Sequence, residues 1–268
     1  MTNPDPITKE HALFLKQYKS HLLQIRLWRI GILVFFVIFW ELSADMGWID
    51  SFFFSSPTRI LRLLVNMCKD HSIFMHIGIT LYETIVSFLL VFLISLALAT
   101  LLWYSPMLSE ILEPFLVVLN SLPKSALAPL FIVWLGTGTK TIIVAGISVA
   151  VFGSIISFYT GFKQNDTEQL KLIYTLGGNR RDAFHKVVLP GSVPILLATT
   201  KVNIGLSLVG VIIGEFLAAR RGLGYLIIYG SQVFQLNLVI TSIILLCLIA
   251  IGFYKVLQWA EKRIVAKK

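Results

Sequence analysis

The side chains that could do chemistry in this chain lie inside long apolar runs. Lys201 and Asn203 share one run, with Glu215 near its far end; Glu83 lies in a second, and Asn120 stands close to Pro123 in a third. A charge surrounded by hydrocarbon is costly, so such residues face a pathway, pair with a partner or reach for the headgroups. Lys201, eleven residues past Pro190, can line a path, bridge helices or snorkel to the inner surface. Glu215 is expected either to cap or pair locally, for instance with Arg220 or Arg221, or to meet a solute. Covalent chemistry has little support. The string Gly136-Thr137-Gly138-Thr139-Lys140-Thr141 lacks the adjacent Gly-Lys of a phosphate-binding loop and is expected to be a turn. The histidines are scattered, with His71 and His76 expected in a loop, and Cys68 and Cys247 form no Cys-x-x-Cys pair. No Ser/His/Asp set and no paired carboxylates are expected to share a pocket. The expectation is therefore no catalytic residue, no metal and no cofactor in this chain.

The composition says what must position these groups. Hydrophobic residues make up 56% and charged residues 14%, against roughly 45–50% and about 25% in soluble domains. A disordered chain, a collagen, a coiled coil and a disulfide scaffold are excluded, and a chain this apolar lacks the polar surface for a soluble enzyme. A helix needs about 20 apolar residues to cross about 30 Å of hydrocarbon. Six segments qualify, near 28–46, 77–103, 111–136, 141–162, 191–218 and 236–258. None alternates as a strand would, so a β-barrel is excluded. The expected fold is an all-α integral membrane domain with six transmembrane helices. Pro123 and Pro129 interrupt the third span, where a bend is tolerated if it lines a cavity. Gly210 and Gly214 allow close helix contact, either within one subunit or at a dimer seam.

Basic residues orient the spans, since they concentrate on the cytoplasmic side. With the N-terminus inside, that side holds Lys9, Lys16, Lys19, Arg26, Arg29, Lys163, Lys171, Arg180, Arg181, Lys186, Lys255, Lys262, Arg263, Lys267 and Lys268. The outside holds Arg59, Arg62, Lys69, Lys124, Lys140, Arg220 and Arg221. Fifteen against seven favours both termini inside. The expected organisation is a cytoplasmic tail over 1–27, a transmembrane domain over 28–260 and a tail over 261–268. The polar stretch Met1–Gln24 shows no secretory signal. A short helix over Thr58–Lys69 is expected at the outer surface. Charge placed at membrane edges, without interleaved aromatics, speaks against nucleic-acid binding.

The segment 164–188 stands apart. Asp166 can cap a helix, with Gln169 three residues on. The helix would carry Leu170, Ile173, Tyr174 and Leu176 on one face. Gly177-Gly178 supplies a left-handed end. Asn179 can cap a second helix with Phe184, Val187 and Val188, ended by Leu189-Pro190. The result is a cytosolic knob with an apolar side and a basic rim of Arg180, Arg181 and Lys186, able to meet a partner or merely to close a loop.

These residues bring in a resemblance. Leu176-Gly177, twelve residues, then Pro190 within Val187-Val188-Leu189-Pro190 resembles the "EAA" signature of permease subunits of bacterial ABC importers. The stretch from Leu122-Pro123-Lys124 through Leu135-Gly136 resembles a motif of the nitrate/sulfonate/taurine branch. So do Gly214-Glu215-Phe216-Leu217-Ala218-Ala219 and Gly222-Leu223-Gly224-Tyr225-Leu226-Ile227. The likeness runs from about residue 75 to 260. It departs at Lys171-Leu172-Ile173, where the signature has Glu-Ala-Ala, at Glu83, where many relatives carry arginine, and at Asn120, another usually basic position.

The resemblance implies a type I importer permease that does not hydrolyse ATP. Its partners would be two cytosolic ATPase subunits holding ATP and magnesium, a second copy of itself, a solute-binding protein outside, and membrane lipid. Coupling would fall to Asp166, Leu170, Lys171, Ile173, Leu176, Gly177, Gly178, Arg180, Arg181, Phe184 and Pro190. The path would involve Asn120, Pro123, Lys201, Asn203 and Glu215. The solute would be a small organic or anionic molecule, sulfonate-, taurine- or nitrate-like or a vitamin precursor, crossing a bacterial cytoplasmic membrane. The rival class, an ion-coupled secondary transporter, would need inverted repeats and mid-membrane carboxylates.

Overall fold

Apolar runs of this length satisfy their backbone groups internally, and helix is the form a single run can take. The computed structural model describes residues 6–265, and all regular structure among them is helical. The first five residues of the 1–27 tail, and Ala266, Lys267 and Lys268 of the 261–268 tail, lie outside the described residues.

The chain divides into two units, 1–63 and 64–268. In the first, α1 (Pro6–Asp45) is one helix of 40 residues, about 60 Å long, so no break separates the polar start from the apolar run after Trp28. After α2 (Ser51–Phe54) comes α3 (Pro57–Lys69), the helix expected over Thr58–Lys69, with proline at its first position. Glu41 of α1 accepts the Thr58 N–H at 2.9 Å and the Thr58 hydroxyl, fastening the start of α3.

In the second unit, α4 (Ser72–Tyr104), α7 (Thr139–Lys163) and α10 (Leu189–Ala218) form the core. One stripe of α4 is small or polar: Thr80, Glu83, Thr84, Ser87, Ser95 and Ala99 are buried. Ser87 and Ser95 donate to the Ile143 and Val151 carbonyls of α7, each at 3.3 Å. Where α10 meets α7, a Cβ on Gly210 would stand 2.8 Å from the Gly146 Cα, and one on Gly214 2.9 Å from the Ile142 Cα. The small-residue pair thus serves packing of α10 on α7 within one chain, which answers the dimer-seam alternative: without Cβ atoms the backbones approach closely.

The remaining elements are α5 (Pro106–Ser121), α6 (Lys124–Leu135), α8 (Thr167–Thr175), α9 (Arg180–Ala183), α11 (Leu223–Gln232) and α12 (Leu236–Val265). Among the described residues five helices are long and apolar enough to cross a membrane, and α5 with α6 makes a sixth run bent by 95°. The bend falls at Leu122-Pro123, because proline disfavours helix in the residue before it. Pro129, expected to interrupt the span as well, stays inside α6.

A second correction concerns Pro190. It does not end the knob's second helix. After α9 a π-helical turn, Phe184–Val188, runs straight into α10, and Pro190 occupies the first turn there. The missing proline N–H is tolerated at that place, and the wider turn absorbs the mismatch. The continuous run Arg180–Ala218 is 39 residues long, well beyond the ~20 needed to span. Its first turns are therefore free to lie outside the hydrocarbon.

Candidate coupling segment and translocation residues

The corner of the knob forms by local rules. Asp166 caps α8 and accepts from the Glu168 N–H at 2.8 Å. At the far end the Gly178 N–H reaches the Ile173 carbonyl at 2.9 Å and the Gly177 N–H the Tyr174 carbonyl at 3.0 Å, which is a Schellman ending. Gly177 has φ +82° with open space about it, whereas a Cβ on Gly178 would stand 2.9 Å from the Ile173 carbonyl oxygen. The two glycines are needed for different reasons, one for conformation and one for space. Asn179 and Asp182 then cap α9 reciprocally. The Asn179 N–H, with Lys186 at 3.3 Å, holds the Asp182 carboxyl below the usual carboxylate range.

The knob is two-faced. None of the residues of α8 is buried, and Leu172, Tyr174 and Leu176 are exposed. Lys171 is exposed beside them, while Leu170 leans on the core. The part after the corner is anchored. Phe184 is buried among Trp103, Tyr104 and Phe162, with ring centroids 5.2, 5.4 and 5.4 Å away. Arg180 lies over the Trp103 ring and donates to the Trp103 carbonyl at 3.0 Å; Arg181 remains exposed. Sequence reasoning missed Asn165. Its amide nitrogen lies within donating reach of the carbonyls of Gly161, Phe162 and Val188, each at 3.2 Å, and of the Ser192 hydroxyl at 2.9 Å. One side chain thus ties the end of α7 to the start of α10.

The residues expected along the path do not converge. The Lys201 ammonium bonds both Glu261 oxygens on α12, at 3.0 and 2.8 Å. This pair edges an apolar cavity of about 290 Å³ with Phe88, Leu89 and Phe92. Asn203 is buried, Asn120 lies against Gly153 of α7, and Pro123 is exposed. If Lys201 and Glu261 act as a clamp, Lys201→Ala and Glu261→Ala each lower the melting temperature of the detergent-solubilised protein. The double variant then lies close to either single one. Strictly additive losses would show that the two charges act independently.

At the opposite end of the core Glu215 does not pair with Arg220 or Arg221. It accepts the Thr80 hydroxyl at 2.7 Å and the Gly224 N–H. The Leu223 N–H goes to the Thr80 oxygen at 2.9 Å and the Gly222 N–H to His76 Nδ1 at 3.0 Å. The Gly-Leu-Gly string is thus a run of three backbone donors aimed at α4 and Glu215. A Cβ on Gly222, at φ +117°, would run into the Glu215 carboxylate. His76 is a buried residue of α4 and not a loop residue. The pairing of Glu83 with Glu215 also corrects the expectation that no two carboxylates meet. Both cysteines are free, and among the described residues no group of three or more His, Cys, Asp or Glu side chains gathers as metal ligands.

Comparisons with known proteins show the family and the fold. The family "binding-protein-dependent transport system inner membrane component" matches residues 91–266. A probable ABC transporter permease protein of Haemophilus influenzae is 27% identical, covering 88% of this chain and 94% of that protein. The taurine transport system permease protein TauC of Escherichia coli is 24% identical, covering 82% of each. The formylaminopyrimidine transport permease protein ThiX of Halalkalibacterium halodurans is 26% identical over 70% of this chain and 75% of its own. In fold, the chain resembles the inward-facing MetNI methionine ABC transporter, with a TM-score of 0.61 at 21% identity, covering 71% of this chain and 93% of that one. The chain belongs to the inner-membrane component family of binding-protein-dependent transport systems, the permease subunits of ABC transporters, on the branch that includes the sulfonate and taurine permeases.

Proposed function

We propose that this chain is the permease of an ATP-driven importer in a bacterial cytoplasmic membrane. Two copies form the path, two cytosolic ATPase subunits dock on residues 164–188, and a binding protein delivers solute from outside. Both termini face the cytoplasm. The chain itself hydrolyses nothing; ATP and magnesium belong to the ATPases. The observation that carries the reading is the two-faced knob: exposed Leu172, Tyr174 and Leu176 on one side of the Gly177 corner, buried Phe184 on the other. Large apolar side chains left exposed together mark a surface for a partner. ATP-driven closure of the ATPases would move α8, and the anchored half would carry that motion into α4, α7 and α10, exposing the path alternately to each side. The solute is a small organic or anionic molecule such as a sulfonate, taurine or a vitamin precursor, which follows from relatives that transport taurine and formylaminopyrimidine.

Orientation is open to a direct test. In a background with Cys68 and Cys247 replaced by serine, Asn179→Cys should react with an impermeant maleimide only in inverted vesicles. Thr139→Cys should react only in intact cells. Labelling of Asn179→Cys from outside would sink both the topology and the docking.

A further inference from the structure

Glu83 is 1% exposed, and neither carboxylate oxygen has a hydrogen-bond partner. Its polar neighbours are the Glu215 carboxylate and the Thr139 hydroxyl. It lines a cavity of about 390 Å³ with Tyr82, Thr139, Arg220 and Arg221. Glu215 is already satisfied as an anion by the Thr80 hydroxyl, the Gly224 N–H and the Tyr225 N–H, at the positive N-terminus of α11. The second carboxylate has no such support. Two buried carboxylates side by side leave one negative charge unmatched.

We propose that Glu83 and Glu215 form a site for one monovalent cation, a proton or a sodium ion, which bolts α4 to the corner between α10 and α11. The oxygens left for a ligand are the two of Glu83 and the Thr139 hydroxyl. The unmatched charge is single, so a monovalent ion balances it and a divalent one would leave a positive charge over. The cavity connects the site to solvent. The other groups around it do not replace the ligand. Arg220 and Arg221 are exposed and, among the described residues, form no ion pair with either glutamate. Lys140 at the start of α7 is exposed too. Tyr82 lies on α4 itself, and Tyr225 stacks on His76. His76 Nδ1 lies 3.0 Å from the Gly222 nitrogen and 3.2 Å from the Gly222 carbonyl oxygen, so its own titration acts on the same corner in either protein.

The test uses the full-length protein in detergent and compares wild type with Glu83→Gln, in which an amide N–H can donate to Glu215 in place of the cation. Melting temperatures are followed from mildly acidic to mildly alkaline pH, with sodium chloride or choline chloride at equal ionic strength. The effect of His76 cancels in the difference between the two proteins. In choline, wild type should fall relative to Glu83→Gln by about 3–6 °C as pH rises. Recovery on adding sodium at alkaline pH identifies sodium as a ligand; no recovery identifies the proton. A difference that stays flat with both pH and sodium overturns the proposal. Measured against Glu83→Gln, Glu83→Leu, which can neither donate nor bind, should show no response to pH or sodium. If instead it keeps the wild-type response, the site is not at Glu83.

Discussion

Gly177→Val should leave the protein in the membrane at normal levels, strip it of its ATPase and abolish transport. Gly177 sits at φ +82° with nothing near a would-be Cβ, so the effect is one of backbone conformation alone. A β-branched residue is a genuine outlier at that φ, and such strain costs about 1–3 kcal/mol. Against it stand the two bonds of the Schellman ending, Gly178 N–H to the Ile173 carbonyl and Gly177 N–H to the Tyr174 carbonyl, worth about 0.5–1.5 kcal/mol each. Helix α8 has only 9 residues and buries none of them, so it has little stability of its own to resist. The corner therefore gives way and α8 swings off its position. The spans do not depend on that corner. Asparagine tolerates the left-handed region, and Gly177→Asn should keep part of the uptake. Co-purification with the ATPase and solute uptake in vesicles are the measurements. Gly177→Val with a stoichiometric ATPase and full uptake would mean the knob is an ordinary loop.

That corner was legible because its signals are local. Asp166, the Gly-Gly pair and Asn179 each act on backbone within a few residues, and a single sequence carries such rules intact. The spans were legible for the same reason, since hydropathy is a property of one continuous run. What escaped was set by distance along the chain. Thr80 and Glu215 are 135 residues apart, Lys201 and Glu261 are 60 apart, and Asn165 and Ser192 are 27 apart. No periodicity links such partners. Thr80 and Glu215 meet because small residues, Gly146, Gly210 and Gly214, let α4, α7 and α10 close on one another. The path to Pro190 failed differently. Proline after leucine looks like a stop, but it is equally at home in the first turn of a helix, and only the π turn before it distinguishes the two.

The anchored half of the knob predicts a failure of another kind. Phe184 lies in a cage of Trp103, Tyr104 and Phe162, where α4 and α7 end, while α8 touches the opposite side of the corner. Phe184→Ala removes the ring but leaves the Schellman ending, the Asn179–Asp182 box and the exposed face of α8 unchanged. Burying nothing in place of a buried phenylalanine costs about 3–5 kcal/mol. Arg180, held over Trp103 and bonded to its carbonyl, keeps the segment near α4 but cannot fill the hole. The ATPase should then still bind, because its proposed surface is intact. Its strokes should no longer reach α4 and α7, because the hinge slides in a cavity instead of pushing on a packed ring. The expected result is a normally assembled complex that hydrolyses ATP with transport per ATP reduced at least about tenfold, which corresponds to 1.4 kcal/mol of lost coupling. Phe184→Leu, which refills most of the volume, should recover much of the ratio. If Phe184→Ala transports as much solute per ATP as wild type, the force passes instead through Asn165 and its bonds to Val188 and Ser192, and the aromatic cage only stabilises the fold.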